Sequence, residues 1–351
     1  MSEPDKPATA EEFLQCLRFS GLLEEPRLLG FLRQLDTEAV TSEPRHVAAA
    51  LVRANLLTAY QAKFLLLGRY RGFLIGGRYK ILRLLGQGGM GTVYLAQHLV
   101  MNRLVALKVI GKKWLDRPET VTRFRQEIQA AARLCHPHIV MAFDAEQVDN
   151  LHYLAMEYIE GIDLSRLLQT RGPLSVMEVC EYVRQAALGL QHAHEQGMVH
   201  RDIKPQNLML TSKEHPQPGI IKILDFGLAR FAKGVETPGV TNPGTMLGTP
   251  DFMAPEQARR FHTTDIRADI YSLGCTLYYL LTGQVPFPAG GIMTKCLQHA
   301  YDNPSSLGQQ RVDVSPGLIL VFQRMTAKNP CDRYQTPGEV AWALEPFAFK
   351  Q

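Results

Sequence analysis

Four glycines within six residues, Gly86-Gln87-Gly88-Gly89-Met90-Gly91, constrain this chain more than any other stretch. Their GxGxxG spacing suits two architectures, and the residues that follow choose between them. A dinucleotide-binding loop opens a helix, whereas Thr92-Val93-Tyr94-Leu95 reads as a strand. Residues 79–85 alternate in the same way ahead of the glycines, so the run is the turn of a β-hairpin. Because glycine has no side chain, the backbone amides of such a hairpin can closely approach an anionic group such as phosphate.

About 15 residues further on, Val105-Ala106-Leu107-Lys108 puts a lysine into an apolar, strand-like run. Burying an ammonium is costly unless its charge is paired. Glu127, on the helical stretch 121–134, is the expected partner, and the pair would hold Lys108 against the α- and β-phosphates of a nucleotide.

Around these residues the pattern changes twice. From 11 to 69 apolar residues recur at steps of three and four, as in Phe13, Leu14, Leu17 and in Leu28, Leu29, Leu32, Leu35. Two stretches there look alike: Gly21-Leu22-Leu23 leading into 28–35, and Asn55-Leu56-Leu57 leading into 61–67. Each reads as a turn residue, a leucine pair and a capped helix start, which predicts a duplicated helical hairpin. Residues 69–78 form a basic connector containing Gly72, Gly76 and Gly77, expected to be solvated. Beyond it, roughly 80 strand-rich residues precede roughly 190 helix-rich ones, as in 175–194 and 268–281, which predicts a bilobal α+β unit.

Composition narrows the class. Hydrophobic residues make up 46% of the 351-residue chain and charged residues 21%, as in folded globular proteins. No apolar run approaches the roughly 18 residues of a membrane span, and residues 1–9 lack the apolar core of a signal peptide. The net charge of +4 is too small and too evenly spread for a nucleic-acid surface, while a phosphorylated or acidic ligand stays open. Six cysteines without a CxxC pair argue for reduced thiols and a cytoplasmic protein.

The chemistry concentrates in His200-Arg201-Asp202-Ile203-Lys204-Pro205-Gln206-Asn207 and Asp225-Phe226-Gly227, followed by Ala254-Pro255-Glu256, Asp269 and Arg333. In order and spacing these motifs resemble the protein kinase superfamily, specifically the bacterial eukaryotic-like (Hanks-type) serine/threonine kinases, over about residues 79–347. The resemblance implies an α+β, bilobal protein-kinase fold, with a β-rich N-lobe (79–159) and a helical C-lobe (160–350). A small all-α domain (1–70) and a linker (71–78) precede it. It implies ATP and Mg²⁺, with Asp225 and Asn207 as metal ligands, Asp202 orienting the attacking hydroxyl and Lys204 stabilising the transferring phosphoryl group. For the nucleotide it implies Met156 as gatekeeper and the backbone of Glu157 and Ile159 at the adenine edge. Leu85, Val93, Ala106 and Met209 would flank the ring, Asp163 would meet the ribose, and the loop from Gly86 through Gln87, Gly88, Gly89 and Met90 to Gly91 would cover the phosphates. Asp269 and the Glu256–Arg333 pair are expected to be structural.

Lys204, Thr249 and the Ala254-Pro255-Glu256 platform match the pattern for serine or threonine acceptors on proteins. Arg201 is the expected counterpart of a phosphate in the segment 228–247, which offers Thr241, Thr245 and Thr237 as autophosphorylation sites. The alternative reading is a pseudokinase or adaptor scaffold, but Lys108, Asp202 and Asp225 are all present. Residues 1–70 show no catalytic constellation, which leaves self-association, partner docking or contact with the kinase lobes open.

Overall fold

The computed structural model describes residues 6–34, 43–88, 91–111, 128–148, 151–212, 219–226, 250–260 and 264–348. They fall into two compact units, Met1–Asp116 with Phe143–Tyr158, and Arg117–Ala142 with Ile159–Gln351.

Among its described residues the first unit opens with four short helices, α1 (Ala10–Ser20), α2 (Glu25–Leu32), α3 (Pro44–Arg53) and α4 (Ala59–Leu65). Of the two look-alike stretches the turn residue repeats in the backbone. Gly21 and Asn55 both turn the chain in the left-handed region, at φ 65° and 55°, but the buried leucine is the first of its pair at Leu22 and the second at Leu57. The helix starts differ from each other, however. Thr58 closes a capping box with Gln61 ahead of α4, whereas Glu24 makes no side-chain cap ahead of α2, where Pro26 presets the first turn instead. Phe13, Leu17, Leu28, Val47, Leu51 and Leu65, none more than 1% exposed, form the bundle core, each contributing roughly 2 kcal/mol on burial.

The same unit carries a six-stranded sheet in the order β1-β2-β3-β4-β6-β5. The strands are β1 (Leu74–Ile75), β2 (Tyr79–Gly88), β3 (Gly91–His98), β4 (Arg103–Ile110), β5 (Ala142–Val148) and β6 (Leu151–Glu157). The basic stretch expected to be a solvated connector in fact holds β1. Leu74 and Ile75 pair with Lys80 and Tyr79, and Phe73 is buried in the bundle core. Positive φ at Gly72, Gly76 and Gly77 lets the chain double back so tightly.

The second unit is mainly helical. Its core lies between α6 (Val176–Glu195) and α8 (Ile266–Thr282), where Val183, Ala187, Leu190, Ile270, Leu273 and Leu277 are wholly buried. The helix α5 (Leu164–Arg171) precedes them, α7 (Pro255–Arg260) lies between them, and α9 (Ile292–Tyr301), α10 (Leu307–Gln310), α11 (Pro316–Met325) and α12 (Pro337–Leu344) follow. A three-stranded antiparallel sheet, β7 (Gly161–Asp163), β8 (Leu208–Thr211) and β9 (Ile221–Ile223), completes the unit. The observed architecture is the expected α+β arrangement of a β-rich and a helical unit preceded by short helices. No helix among the described residues is long and apolar enough to cross a membrane.

Candidate active site

In the first unit the sheet register sets the site. Val93 pairs with Gly86 on one side and with Lys108 on the other, and Lys108 pairs in turn with Leu154. Leu95, Ala106 and Met156 make a second row beside it. Residues directly opposed in an antiparallel pair point to the same face, so Val93, Ala106, Lys108 and Met156 share one face of the sheet. The other face packs Ile81, Ala96, Val105, Leu107, Tyr153 and Ala155 into a core. Lys108 is 6% exposed; its expected partner Glu127 lies outside the described residues, as do Gly89 and Met90. Glu157 ends β6 opposite Val105, and Ile159 follows in the second unit.

The glycines of the hairpin divide by cause. A Cβ on Gly91 would stand 2.0 Å from the Val109 carbonyl oxygen, so the β3–β4 approach itself demands glycine. A Cβ on Gly86 or Gly88 would meet nothing within 4 Å. No packing among the described residues calls for glycine at those two positions, and the open space suits an anion approaching the backbone. Leu85 is the extra residue of a β-bulge directly before Gly86.

In the second unit the loop between α6 and β8 carries the polar cluster. Oδ2 of Asp202 accepts from Lys204 Nζ at 2.8 Å and from Asn207 Nδ2 at 3.1 Å, and the Asp202 carbonyl also accepts from Asn207 Nδ2, at 2.7 Å. A short 3₁₀ turn, Pro205–Asn207, brings Asn207 back to Asp202. With its amide nitrogen so engaged, Asn207 turns its side-chain oxygen, a hard donor suited to Mg²⁺, the other way. The Asn207 carbonyl accepts the Leu224 amide at 2.9 Å, which ties the loop to Asp225.

Two residues here adopt left-handed backbone without being glycine, Arg201 at φ 66° and Asp225 at φ 58°. Each costs roughly 1 kcal/mol or more and persists only where surrounding bonds hold it. For Arg201 the holder is Asp269 on α8. Its carboxylate accepts the His200 amide at Oδ2 and the Arg201 amide at Oδ1, both at 2.7 Å. Asp269 is fully buried, and burial pushes its carboxyl above the usual range against the pull of those two amides. The His200 ring accepts the Asp202 amide at Nδ1, donates from Nε2 to the Leu224 carbonyl at 2.7 Å, and meets Phe226 edge-on.

Asp163 ends β7 and caps α5, accepting the Arg166 amide at 2.9 Å. Met209 lies in β8 opposite Asp163. Arg333 is 1% exposed and forms a two-pronged pair with Glu256, at 2.6 and 2.9 Å; its other donors meet the carbonyls of Ala327, Arg267 and Lys328. Thr237, Thr241, Thr245 and Thr249 lie outside the described residues.

One supporting residue escaped the sequence reading. Gln257, 4% exposed, accepts the Ala254 amide and donates to the Arg201 carbonyl, each at 2.9 Å. It joins the Ala254-Pro255-Glu256 segment to the loop of Asp202. Its position directly after that segment was visible, but no local pattern says which backbone a glutamine will reach.

Comparison with known proteins agrees with this geometry. Residues 79–341 match the protein kinase domain. Serine/threonine-protein kinase PknB of Mycolicibacterium smegmatis is 37% identical over 270 residues, which is 76% of this chain and 42% of that protein. PrkC of Bacillus subtilis is also 37% identical, over 77% of this chain and 40% of its own length. This chain therefore spans less than half the length of these two relatives. The crystal structure of the Mycobacterium tuberculosis PknI kinase domain superposes with a TM-score of 0.62 at 31% identity, covering 79% of this chain and 99% of that domain. A chain with this fold, this loop around Asp202 and this breadth of match belongs to the protein kinase family, among the bacterial Hanks-type serine/threonine kinases.

Proposed function

We propose that the chain transfers the γ-phosphate of MgATP to serine or threonine hydroxyls of proteins. The observation that carries this reading is the Asp202 carboxylate, held at Oδ2 by both Lys204 and Asn207. Among the described residues no donor meets Oδ1, which is left to accept the hydrogen bond of an incoming hydroxyl. The two bonds to Oδ2 fix the orientation of the carboxylate beforehand, and orientation is most of what phosphoryl transfer asks of a protein. Lys204 brings a positive charge to the same point, where charge on the transferring group needs neutralising.

Asp225 and the Asn207 side-chain oxygen would hold Mg²⁺, which would supply positive charge against the phosphates of the nucleotide. Lys108, with Glu127 as its partner, would engage the α- and β-phosphates, and the backbone of Gly86–Gly91 would close over them. Leu85, Val93, Ala106 and Met209 would supply apolar surface for adenine, Glu157 and Ile159 would supply backbone groups for its edge, and Asp163 would supply a carboxylate for the ribose. Residues 79–350 would make up the catalytic unit, with 1–70 and 71–78 as helical domain and connector. A phosphate on Thr241, Thr245 or Thr237 would switch it through Arg201. A reaction fed by ATP places the catalytic unit in the cytoplasm.

The test is label transfer from γ-labelled ATP with Mg²⁺ onto the chain itself and onto a generic basic protein, followed by phosphoamino-acid analysis. The expected product is phosphoserine or phosphothreonine, reduced about 10²–10⁴-fold by Asp202→Asn with nucleotide binding retained. Nucleotide binding without transfer by the unmodified chain would instead establish a scaffold. Phosphopeptide mapping of active and Asp202→Asn protein checks the threonines: an unmodified 228–247 segment in the active form removes them.

A further inference from the structure

The helices before the kinase domain bond to the strand that leads into the glycine-rich hairpin. β2 is irregular. Its pairing with β3 steps from Ile81 opposite Ala96 to Arg83 opposite Leu95, so Leu82 is an extra, bulged residue. A bulge locally breaks the ladder and leaves backbone groups to be satisfied elsewhere. The Leu82 carbonyl is satisfied by Thr58, whose Oγ1 donates to it at 2.6 Å. The neighbouring Ile81 carbonyl accepts from Gln61 Nε2, also at 2.6 Å, and Gln61 is 1% exposed.

Thr58 and Gln61 are also the capping box of α4. The Thr58 amide donates to Gln61 Oε1 at 2.9 Å, and the Gln61 amide to Thr58 Oγ1 at 3.1 Å. Each side chain thus fixes the helix start with one function and β2 with another, which makes the link between helix and strand stiff. Two further contacts flank it. Lys80 Nζ donates to the Leu22 carbonyl at 2.8 Å, and Tyr60 of α4 packs edge-on against Tyr94 of β3 while contributing to both the bundle core and the sheet core. Tyr94 lies on the sheet face opposite Val93 and Lys108, whereas Lys80, paired with Gln97, lies on the same face as they do. The second bulge of β2, at Leu85, comes three residues after the first and turns the strand into the glycine run.

We propose that Thr58 and Gln61 are positioning residues for nucleotide binding: by pinning the Leu82 bulge they set the register in which β2 presents Leu85 to Gly88 to ATP. The bundle is then a built-in part of the nucleotide site, acting through β2, and anything that displaced α4 would lower ATP affinity. This rests on the kinase reading above.

The test uses the full chain and three variants. Thr58→Val keeps the shape and removes the hydroxyl. Gln61→Glu keeps the acceptor that caps Thr58 and removes the donor to Ile81. Thr58→Ser keeps both bonds. Affinity for a fluorescent ATP analogue with Mg²⁺, KM for ATP and kcat are measured, with amide hydrogen exchange over 79–88.

Thr58→Val and Gln61→Glu are expected each to weaken nucleotide affinity and raise KM about five-fold, as the loss of one buried hydrogen bond would. Their kcat at saturating ATP should stay within about twofold, exchange over 79–88 should quicken, and Thr58→Ser should behave as the unmodified chain. Unchanged affinity in both folded variants overturns the proposal, as does a fall in kcat at constant KM, the mark of a mere loss of active protein. Should one variant fail to fold, the other decides. An unmodified chain that binds nucleotide but transfers nothing removes the kinase reading and leaves this affinity comparison standing; one that binds no nucleotide overturns both.

Discussion

Asp269 holds the backbone amide of Arg201 at 2.7 Å while Arg201 sits at φ 66°, a conformation its own side chain disfavours. The carboxylate reaches across 68 residues of sequence to keep that strained peptide in place. Its other oxygen takes the His200 amide, so the residue next to Asp202 is fixed from both oxygens of one buried group.

Asp269→Asn would set an amide donor against one of those N–H groups. Stability should fall by about 2 kcal/mol from the unsatisfied pair. Activity should fall about 10²-fold through displacement of Asp202. Urea unfolding and steady-state kinetics of the variant check the two numbers, and nucleotide affinity should change little.

In the Arg333–Glu256 pair the arginine side chain is 0% exposed and has no route to hydration, while the Glu256 side chain keeps 24% of its surface in solvent. Arg333→Lys keeps the charge but cannot bond both carboxylate oxygens and three carbonyls at once. A loss of about 3 kcal/mol is expected, read by denaturant midpoint. A double-mutant cycle with Glu256→Gln should show strong coupling between the two sites.

Gly91→Ala and Gly86→Ala separate packing from binding within one loop. The first forces a methyl against the Val109 carbonyl and should cost about 1–3 kcal/mol in unfolding experiments. The second enters open space; stability should stay within about 0.5 kcal/mol, while KM for ATP rises.

His299 makes stability depend on pH. It is 1% exposed on α9, its Nδ1 lies 2.8 Å from the Tyr271 hydroxyl, and its ring stands edge-on to Phe287. Burial first, then the charge of Lys328, pushes its pKa down to about 4. Between pH 6.5, the ordinary value, and pH 4 the unfolded chain therefore binds the proton that the folded chain refuses. The His299 contribution is complete above pH 6.5 and is lost as pH falls through 4, about 3 kcal/mol in all. Denaturant midpoints across that range should drop for the unmodified chain and drop less for His299→Gln.

The sequence by itself determined the parts that depend on near neighbours. Alternation on either side of the glycines decided a hairpin over a helix-opening loop, and the left-handed turns at Gly21 and Asn55 follow from residues that tolerate that backbone. The cluster of Asp202, Lys204 and Asn207 was legible because all three lie within one short loop, where spacing alone brings them together. Tertiary structure decided the rest. Gln61 meets Ile81 across 20 residues, Gln257 meets Arg201 across 56, and Arg333 meets Glu256 across 77. No periodicity marks such partners, because the helical and strand repeats report only which face of an element is buried. Which buried polar group meets which backbone depends on how elements pack, and that packing turned a basic connector into β1 and made a helix cap the support of a bulged strand.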